Sequence, residues 1–330
     1  MKVFITGGTG FIGSKIVEFL IRRGYSVKVL VRKITDGKKQ TANEKIEYVQ
    51  GDILDIESVR NGMKDCRYVF HLAAYAKNWS PNPKTFDEVN IRGTENIFTA
   101  ASGLNVEKIV WASTIVTLGP TAKGVIGNEY TPRITGVFFT DYERSKTEME
   151  HKAEQWVKDG LPLVIVNPTR VFGPGLLSES NSVTKLIDNH RKCRFPFLLN
   201  WGRNIGNYAY VDDVAEGHIL ALEKGRIGER YILGGENVSM KELFDTVSQN
   251  DGKNYFQWKI YCVIPLCISY LLALQAKLTG IYPTITPGWI RTFLTDWAYT
   301  SEKAEKELGY SPLPLKEAIR RTCEWLDSQK

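Results

Sequence analysis

A chain of 330 residues, 43% hydrophobic and 24% charged, has ordinary globular composition and enough apolar material for a large core or two lobes. Its net charge of +6 comes from scattered Lys and Arg, with no basic block followed by aromatics, which argues against nucleic-acid binding and suits an anionic ligand. Cys66, Cys193, Cys262, Cys267 and Cys323 are odd in number and form no C-x-x-C pair, so neither a disulfide framework nor a zinc site is expected, only free thiols in a reducing cytoplasm.

Met1-Lys2-Val3-Phe4-Ile5 reads as a strand from the first residue and has neither the length nor the cleavage pattern of a signal peptide. Val3 to Thr6 ends in glycines. Helical spacing follows at Ile12, Ile16, Phe19 and Leu20 and stops at Gly24. Ser26 to Val31, Ile46 to Val49 and Tyr68 to Leu72 read as further strands. Asp87 to Ala101 is a helix, Lys108 to Ala112 a strand, Asp141 to Lys158 a long helix and Leu163 to Val166 a strand. This alternation predicts an α/β fold, a Rossmann-type doubly wound parallel sheet. After Pro168 the pattern loosens into a polar, irregular stretch to about Asn207, and regular packing returns over Tyr210 to Glu223. From about Gly234 the chain reads as helical, aromatic-rich and punctuated by Pro265, Pro283 and Pro287. Residues 1–167 and 207–233 are therefore expected to form a dinucleotide-binding domain, and 168–206 and 234–330 a smaller, mainly helical substrate lobe.

Thr6-Gly7-Gly8-Thr9-Gly10-Phe11-Ile12-Gly13 joins the first strand to the first helix. Glycines there allow a sharp turn, close approach of a pyrophosphate and tight helix–strand packing, and the helix N-terminus offers free N–H groups to phosphates. The second strand ends in Arg32-Lys33, where NAD binders usually carry an acid for the ribose 2′-hydroxyl. A guanidinium fits a 2′-phosphate, so NADP is favoured, with NAD possible if Arg32 is only a solvated loop cation.

Tyr142 and Lys146 stand four apart and share one helix face. A phenol has a pKa near 10, and a neighbouring ammonium is expected to lower it toward the range useful for acid–base catalysis. Ser113 and Thr114 lie at the end of the fifth strand, the edge that faces the ligand crevice of such sheets. A hydroxyl there either holds a reacting oxygen or caps the following loop. Tyr75, Asn78 and Trp79, after the fourth strand, are candidates for the substrate pocket, with an ordered surface loop as the alternative. Ile260 to Leu274 is apolar all round and falls short of the roughly 20 residues that span a bilayer. It suits a lipophilic substrate pocket, peripheral membrane contact, or ordinary core or dimer packing.

These motifs together resemble the extended short-chain dehydrogenases/reductases, the NAD-dependent epimerase/dehydratase family, over nearly the whole chain. The matching residues include Gly51-Asp52, His71-Leu72-Ala73-Ala74, Val89-Asn90-x-x-Gly93-Thr94, Asn167-Pro168-x-x-Val171-x-Gly173-Pro174, Tyr210-Val211-Asp212-Asp213-Val214 and Leu308-Gly309-Tyr310-x-Pro312. Within the family the chain is most similar to the dihydroflavonol-4-reductase-like and farnesol-dehydrogenase-like branch.

The resemblance implies Tyr142 as proton donor or acceptor, Lys146 as holder of the nicotinamide ribose and Thr114 as substrate-binding hydroxyl. It places Gly7, Thr9, Gly10, Phe11, Ile12 and Gly13 on the pyrophosphate and Asp52 with Ile53 on the adenine. Leu72, Ala73, Ala74, Asn90, Ser113, Pro168 and Val171 would border the dinucleotide. It also implies a homodimer through helices near Glu88–Ala101 and Tyr142–Val157.

Two departures narrow the substrate. Plant dihydroflavonol reductases carry Asn where this chain has Gly119, which weakens a flavonoid. Sugar-nucleotide dehydratases carry Asp-Glu where it has Ile115-Val116, which argues against dehydration. The expected activity is interconversion of an alcohol with a ketone or aldehyde on a hydrophobic small molecule, with no metal. A nucleotide-sugar epimerase would need polar and basic groups for a diphosphate, and a dinucleotide sensor without turnover typically loses the tyrosine that is present here.

Overall fold

The computed structural model describes residues 1–34, 44–104, 106–194 and 197–329. Seven strands form one sheet: β1 (Lys2–Thr6), β2 (Ser26–Val31), β3 (Ile46–Gln50), β4 (Tyr68–His71), β5 (Lys108–Ala112), β6 (Leu163–Pro168) and, from further along the chain, Arg230–Leu233, which is β10. Their order is β10-β6-β5-β4-β1-β2-β3, and every pairing is parallel. The strand order reverses between β1 and β4, which opens the crevice where doubly wound sheets hold ligands.

Side chains alternate across the sheet, and both faces are buried, as parallel sheets require. Val3, Ile5, Val27, Val29, Val164 and Val166 face one layer, which includes α1 (Phe11–Arg22). Phe4, Leu30, Val69, Ile109, Trp111 and Leu163 face the other. That second layer holds α2 (Ile56–Met63), a helical segment from Lys84 to Ser102 and α5 (Asp141–Lys158). The helix expected over 87–101 is not uniform. It runs as α3 (Lys84–Asp87), a π-helical turn over Glu88–Arg92, and α4 (Gly93–Ser102). Such a turn re-aims side chains and occurs often beside functional sites.

The stretch read as irregular holds structure that its residues do encode. Helix α6 (Ser182–Arg191) buries Val183, Leu186, Ile187 and His190, a spacing of 3, 4 and 7 along one face. With β7 (Arg170–Phe172), β8 (Phe197–Leu199) and β9 (Ile205–Tyr210), it belongs to a third core that contains Phe172, Tyr208 and Tyr210. Helix α7 (Val211–Lys224) returns to pack on α1.

Beyond Gly234 the chain is not all helix. β11 (Glu236–Ser239) pairs with β9 and β12 (Trp258–Ile260) with β8. Helix α8 (Met240–Asp251) is closed by a Ser239–Glu242 capping box. Then come α9 (Val263–Thr279), α10 (Pro287–Phe293), α11 (Glu302–Leu308) and α12 (Leu315–Ser328). The boundary expected at 234 is crossed more than once: Ala304, Leu308 and Tyr310 rejoin the core of the main sheet, and Trp297 and Tyr299 pack with Ile115, Leu118 and Ile232.

Candidate active site

The glycine string sits where β1 turns into α1. Gly7 takes a φ of 73°, and a Cβ there would lie 2.7 Å from the Ala73 nitrogen. A Cβ on Gly13 would fall 2.1 Å from the Gly7 carbonyl oxygen. These contacts are with backbone, so only glycine permits them. Gly10 is the N-cap residue and supplies no side-chain cap, which leaves the first N–H groups of α1 turned toward the crevice. A pyrophosphate fits this cradle.

One cavity of about 1180 Å³ runs from this cradle to the later lobe. Its walls include Gly7, Thr9, Gly10, Phe11, Ile12 and Gly13, then Arg32, Asp52 and Ile53 at one end and Leu72, Ala73 and Ala74 below. Ser113, Thr114, Tyr142, Pro168 and Val171 line its middle, and Tyr75 and Asn78 its outer part. The Asp52 carboxylate accepts from Leu54 N at 2.9 Å, which shapes its own turn.

Three expected residues lie off the wall. Asn90, buried on the π-helical turn, accepts from Tyr75 N at 2.7 Å and donates to Ser145 Oγ at 3.0 Å. It therefore clamps the Tyr75 loop to α5 from behind. Trp79 packs edge-on against Tyr282, with ring centroids 5.7 Å apart. Lys146 lies one layer beneath the cavity, almost fully buried.

The floor at the switch point is tied by His71. Its Nδ1 shares a proton with Thr6 Oγ1 over 2.7 Å, and its Nε2 lies 3.0 Å from Thr94 Oγ1. Burial, with help from the Lys146 charge, pushes its pKa down to about 3. Burial also holds His218 on α7 at about 4, partly offset by its bond to Val214 O. Both imidazoles are neutral in the fold and titrate near 6.5 when unfolded. The unfolded chain thus takes up protons first as pH falls below about 6.5, and stability is lost down to about 4 and then 3. Two such groups steepen the loss by about 2.7 kcal/mol per pH unit where both are protonated only in the unfolded state. Urea midpoints at pH 7, 6 and 5 for wild type and His218→Gln should differ in slope by about one proton. Parallel pH profiles would contradict this.

Tyr142 opens α5. Thr140 caps that helix by accepting from Glu143 N at 3.1 Å, and Glu143 pairs with Arg133 and accepts from Phe139 N at 2.7 Å. The phenol's position is thus set by a capped, charge-paired helix end. Tyr142 lines the cavity, yet its surroundings are dense. Burial pushes the phenol up to about 12, the Thr114 hydroxyl opposes this and the Glu150 charge adds to it.

The expectation that Lys146 lowers the phenol pKa is therefore not met. The ammonium donates to Ala112 O at 2.9 Å and stands 4.5 Å from the centroid of the Trp111 ring. Burial drops its own pKa to about 7, against the raising effect of Glu150. Desolvation dominates at both groups. Glu150, one turn further along α5, accepts from Thr117 Oγ1 at 2.9 Å and Asn167 Nδ2 at 2.7 Å and faces Arg230 at 3.2 Å. It locks α5 to the ends of β5 and β6. Ser113 Oγ is buried and has no hydrogen-bond partner among the described residues, in a residue that lines the cavity.

The sequence reading missed the lobe wall: Arg170, Glu179, Trp289, Thr292 and Phe293. Arg170 Nη2 donates to Thr292 O at 3.0 Å, and its guanidinium lies 4.4 Å from the Phe293 ring centroid. A signal existed for α10, since Thr286 caps it, Pro287 opens it, and Trp289 and Phe293 follow four apart. The segment 260–274, for which pocket lining was one of the alternatives, contributes nothing to the cavity wall among the described residues. Its large side chains point outward, with Leu271 68% exposed.

A profile of the NAD dependent epimerase/dehydratase family matches residues 3–234. A Synechocystis sp. protein provisionally named dihydroflavonol 4-reductase is 28% identical over 98% of this chain and 94% of its own. The decarboxylating sterol-4-alpha-carboxylate 3-dehydrogenase of Mus musculus is 26% identical over 98% of this chain and 90% of its own. The crystal structure of gox2253 superposes with a TM-score of 0.82 at 33% identity, covering 99% of this chain and 98% of that one. With a glycine cradle, a seven-stranded parallel sheet and a Tyr-x-x-x-Lys helix beside the cavity, the chain belongs to the NAD dependent epimerase/dehydratase family, the extended short-chain dehydrogenases/reductases, and is an enzyme.

Proposed function

We propose that this protein is an NAD(P)-dependent oxidoreductase that interconverts an alcohol and a ketone or aldehyde on a lipophilic small molecule. One observation carries the reading. A protonated phenol, a partnerless buried hydroxyl and an aromatic wall of Trp289 and Phe293 share one cavity with a phosphate cradle. The glycines and the α1 N-terminus would hold the pyrophosphate, and a bound nicotinamide supplies or accepts the hydride. In the reductive direction the carbonyl oxygen sits between Ser113, Thr114 and Tyr142. Its lone pair takes the Tyr142 proton as the carbonyl carbon gains hydride. Lys146, beneath, balances the charge left on the phenolate. The sterol named for the mouse relative supports an apolar substrate. Dihydroflavonol chemistry, named for the Synechocystis protein, supports the reaction type.

The second reading is a nucleotide-sugar epimerase. Arg170 favours it, as a cation in the lobe wall that a diphosphate would seek, and so does the fold match to a Thermus thermophilus UDP-glucose 4-epimerase at 26% identity and TM-score 0.77. A panel of lipophilic ketones and UDP-hexoses separates the two. A reductase consumes NAD(P)H with the ketones, whereas an epimerase inverts the sugar with no net change in nicotinamide absorbance.

Arg32 lines the adenine end of the cavity, where it would meet a 2′-phosphate. Arg32→Asp should weaken NADPH binding by about 1.5–3 kcal/mol, the scale of a hydrogen bond to a charged group, and spare or improve NADH. Calorimetry showing that the wild-type protein already prefers NADH would remove this assignment.

A further inference from the structure

Helix α9 packs against the protein through its small residues and turns its large ones to water. Pro265, Ser269 and Ala276 are its buried positions. Ile264, Ile268, Leu271, Leu274 and Leu278 are exposed, Leu278 by 79%. The flanking segments add Phe256, Trp258, Tyr261, Ile281 and Tyr282, all exposed. A patch of this kind on a folded protein marks a contact surface rather than chance exposure.

Its charge says what it contacts. The chain carries 37 acidic residues, yet none lies between Asp251 and Asp296. The same stretch holds Lys253, Lys259, Lys277 and Arg291. Trp258, Tyr261 and Tyr270 have the apolar body and polar tip that suit the boundary between headgroups and acyl chains. No helix of the described residues is long and apolar enough to cross a membrane. A second copy seated on this face would set these cations against their equivalents, with no acidic residue of the same stretch to pair them. Anionic headgroups would neutralise them.

The face also backs onto the cavity. Tyr282, just beyond α9, donates to Glu179 in the cavity wall at 2.5 Å. Tyr270 on α9 accepts from Arg291 on α10 at 2.6 Å, and α10 carries Trp289 and Phe293 into the lining. We propose that α9 and its flanks form a monotopic docking surface for an anionic lipid bilayer, lying in the headgroup boundary with the lobe side of the cavity beside it.

The test is co-sedimentation of the full chain with vesicles of phosphatidylcholine, with and without phosphatidylglycerol. The protein should pellet with the anionic vesicles and release as salt rises. The variant Ile268→Glu/Leu271→Glu/Leu274→Glu should lose at least ~10-fold in partition while keeping its melting temperature, since these side chains are not in the core. Lys259→Gln/Lys277→Gln, which leaves the apolar face intact, should weaken binding to anionic vesicles alone. Failure to pellet with either vesicle would overturn the proposal. So would a wild-type dimer that the Glu variant splits without any vesicle binding, which would assign the face to a second copy. Neither readout needs turnover, so the docking surface and the substrate reading fail separately.

Discussion

Tyr142→Phe should lower turnover at least ~100-fold, the low end of what a positioned acid–base group supplies, while dinucleotide affinity stays within about twofold of wild type. The substitution keeps the ring at the start of α5 and removes only its hydroxyl oxygen. The hydroxyl takes no part in the glycine cradle, so binding and chemistry separate cleanly. Thr140, Glu143 and Arg133 continue to fix the helix end, so the fold has no reason to respond. Steady-state turnover with calorimetry of dinucleotide binding checks both halves. A variant with near-normal turnover would mean that the proton comes from elsewhere, Thr114 and Ser113 being other hydroxyl residues on the cavity wall. A variant that fails to bind dinucleotide would mean that the hydroxyl also holds the cofactor, so that binding and chemistry do not separate at this residue.

The second large effect belongs to Gly13. Gly13→Ala puts a methyl 2.1 Å from the Gly7 oxygen and 2.8 Å from the Gly7 carbonyl carbon, with Gly8 Cα at 2.9 Å. All three are backbone atoms, and no side-chain rotation relieves the clash. Either α1 backs away from β1 or the turn over Gly7 to Gly10 is displaced, and both ruin the cradle. Dinucleotide affinity should fall at least ~30-fold, and stability by about 1–3 kcal/mol, the usual scale for overpacking. Gly136→Ala is the control, because it meets nothing within 4 Å and has no left-handed φ. It should leave both quantities unchanged. Equal, small effects at the two positions would show that the turn tolerates expansion and is not the pyrophosphate site.

The parts of this molecule that were legible in its sequence are those fixed by local pattern. β1, β5 and β6 are buried on both faces and read as apolar runs, and β2 does so with one break at Lys28. The cradle is legible because backbone geometry there admits only glycine. Tyr142 and Lys146 were placed correctly on one helix face, yet the direction of the phenol's shift was not readable from their spacing. It depends on how much water the fold removes around each group, and on Ala112 O and Trp111 capturing the ammonium. The lobe wall was hidden for a similar reason. Arg170, Trp289 and Phe293 are more than a hundred residues apart in part and meet only through the packing of β7 against α10. The segment 260–274, left open between pocket, membrane contact and packing, is instructive in another way. Apolar composition says that a helix must be covered, but only its small buried face at Pro265, Ser269 and Ala276 shows that the protein itself does not cover it.

The central claim is that hydride passes between a nicotinamide and a carbon bearing an oxygen, with net conversion of the substrate. Single-turnover reduction of a lipophilic ketone with nicotinamide deuterated at the transferring position tests it most directly. Mass spectrometry should find one deuterium on the carbinol carbon of the product, with one oxidised cofactor formed per alcohol, and a rate that collapses in Tyr142→Phe. Deuterium that never leaves the cofactor with any ketone, while a UDP-hexose is inverted without net oxidation, would contradict the account and assign the cavity to an epimerase.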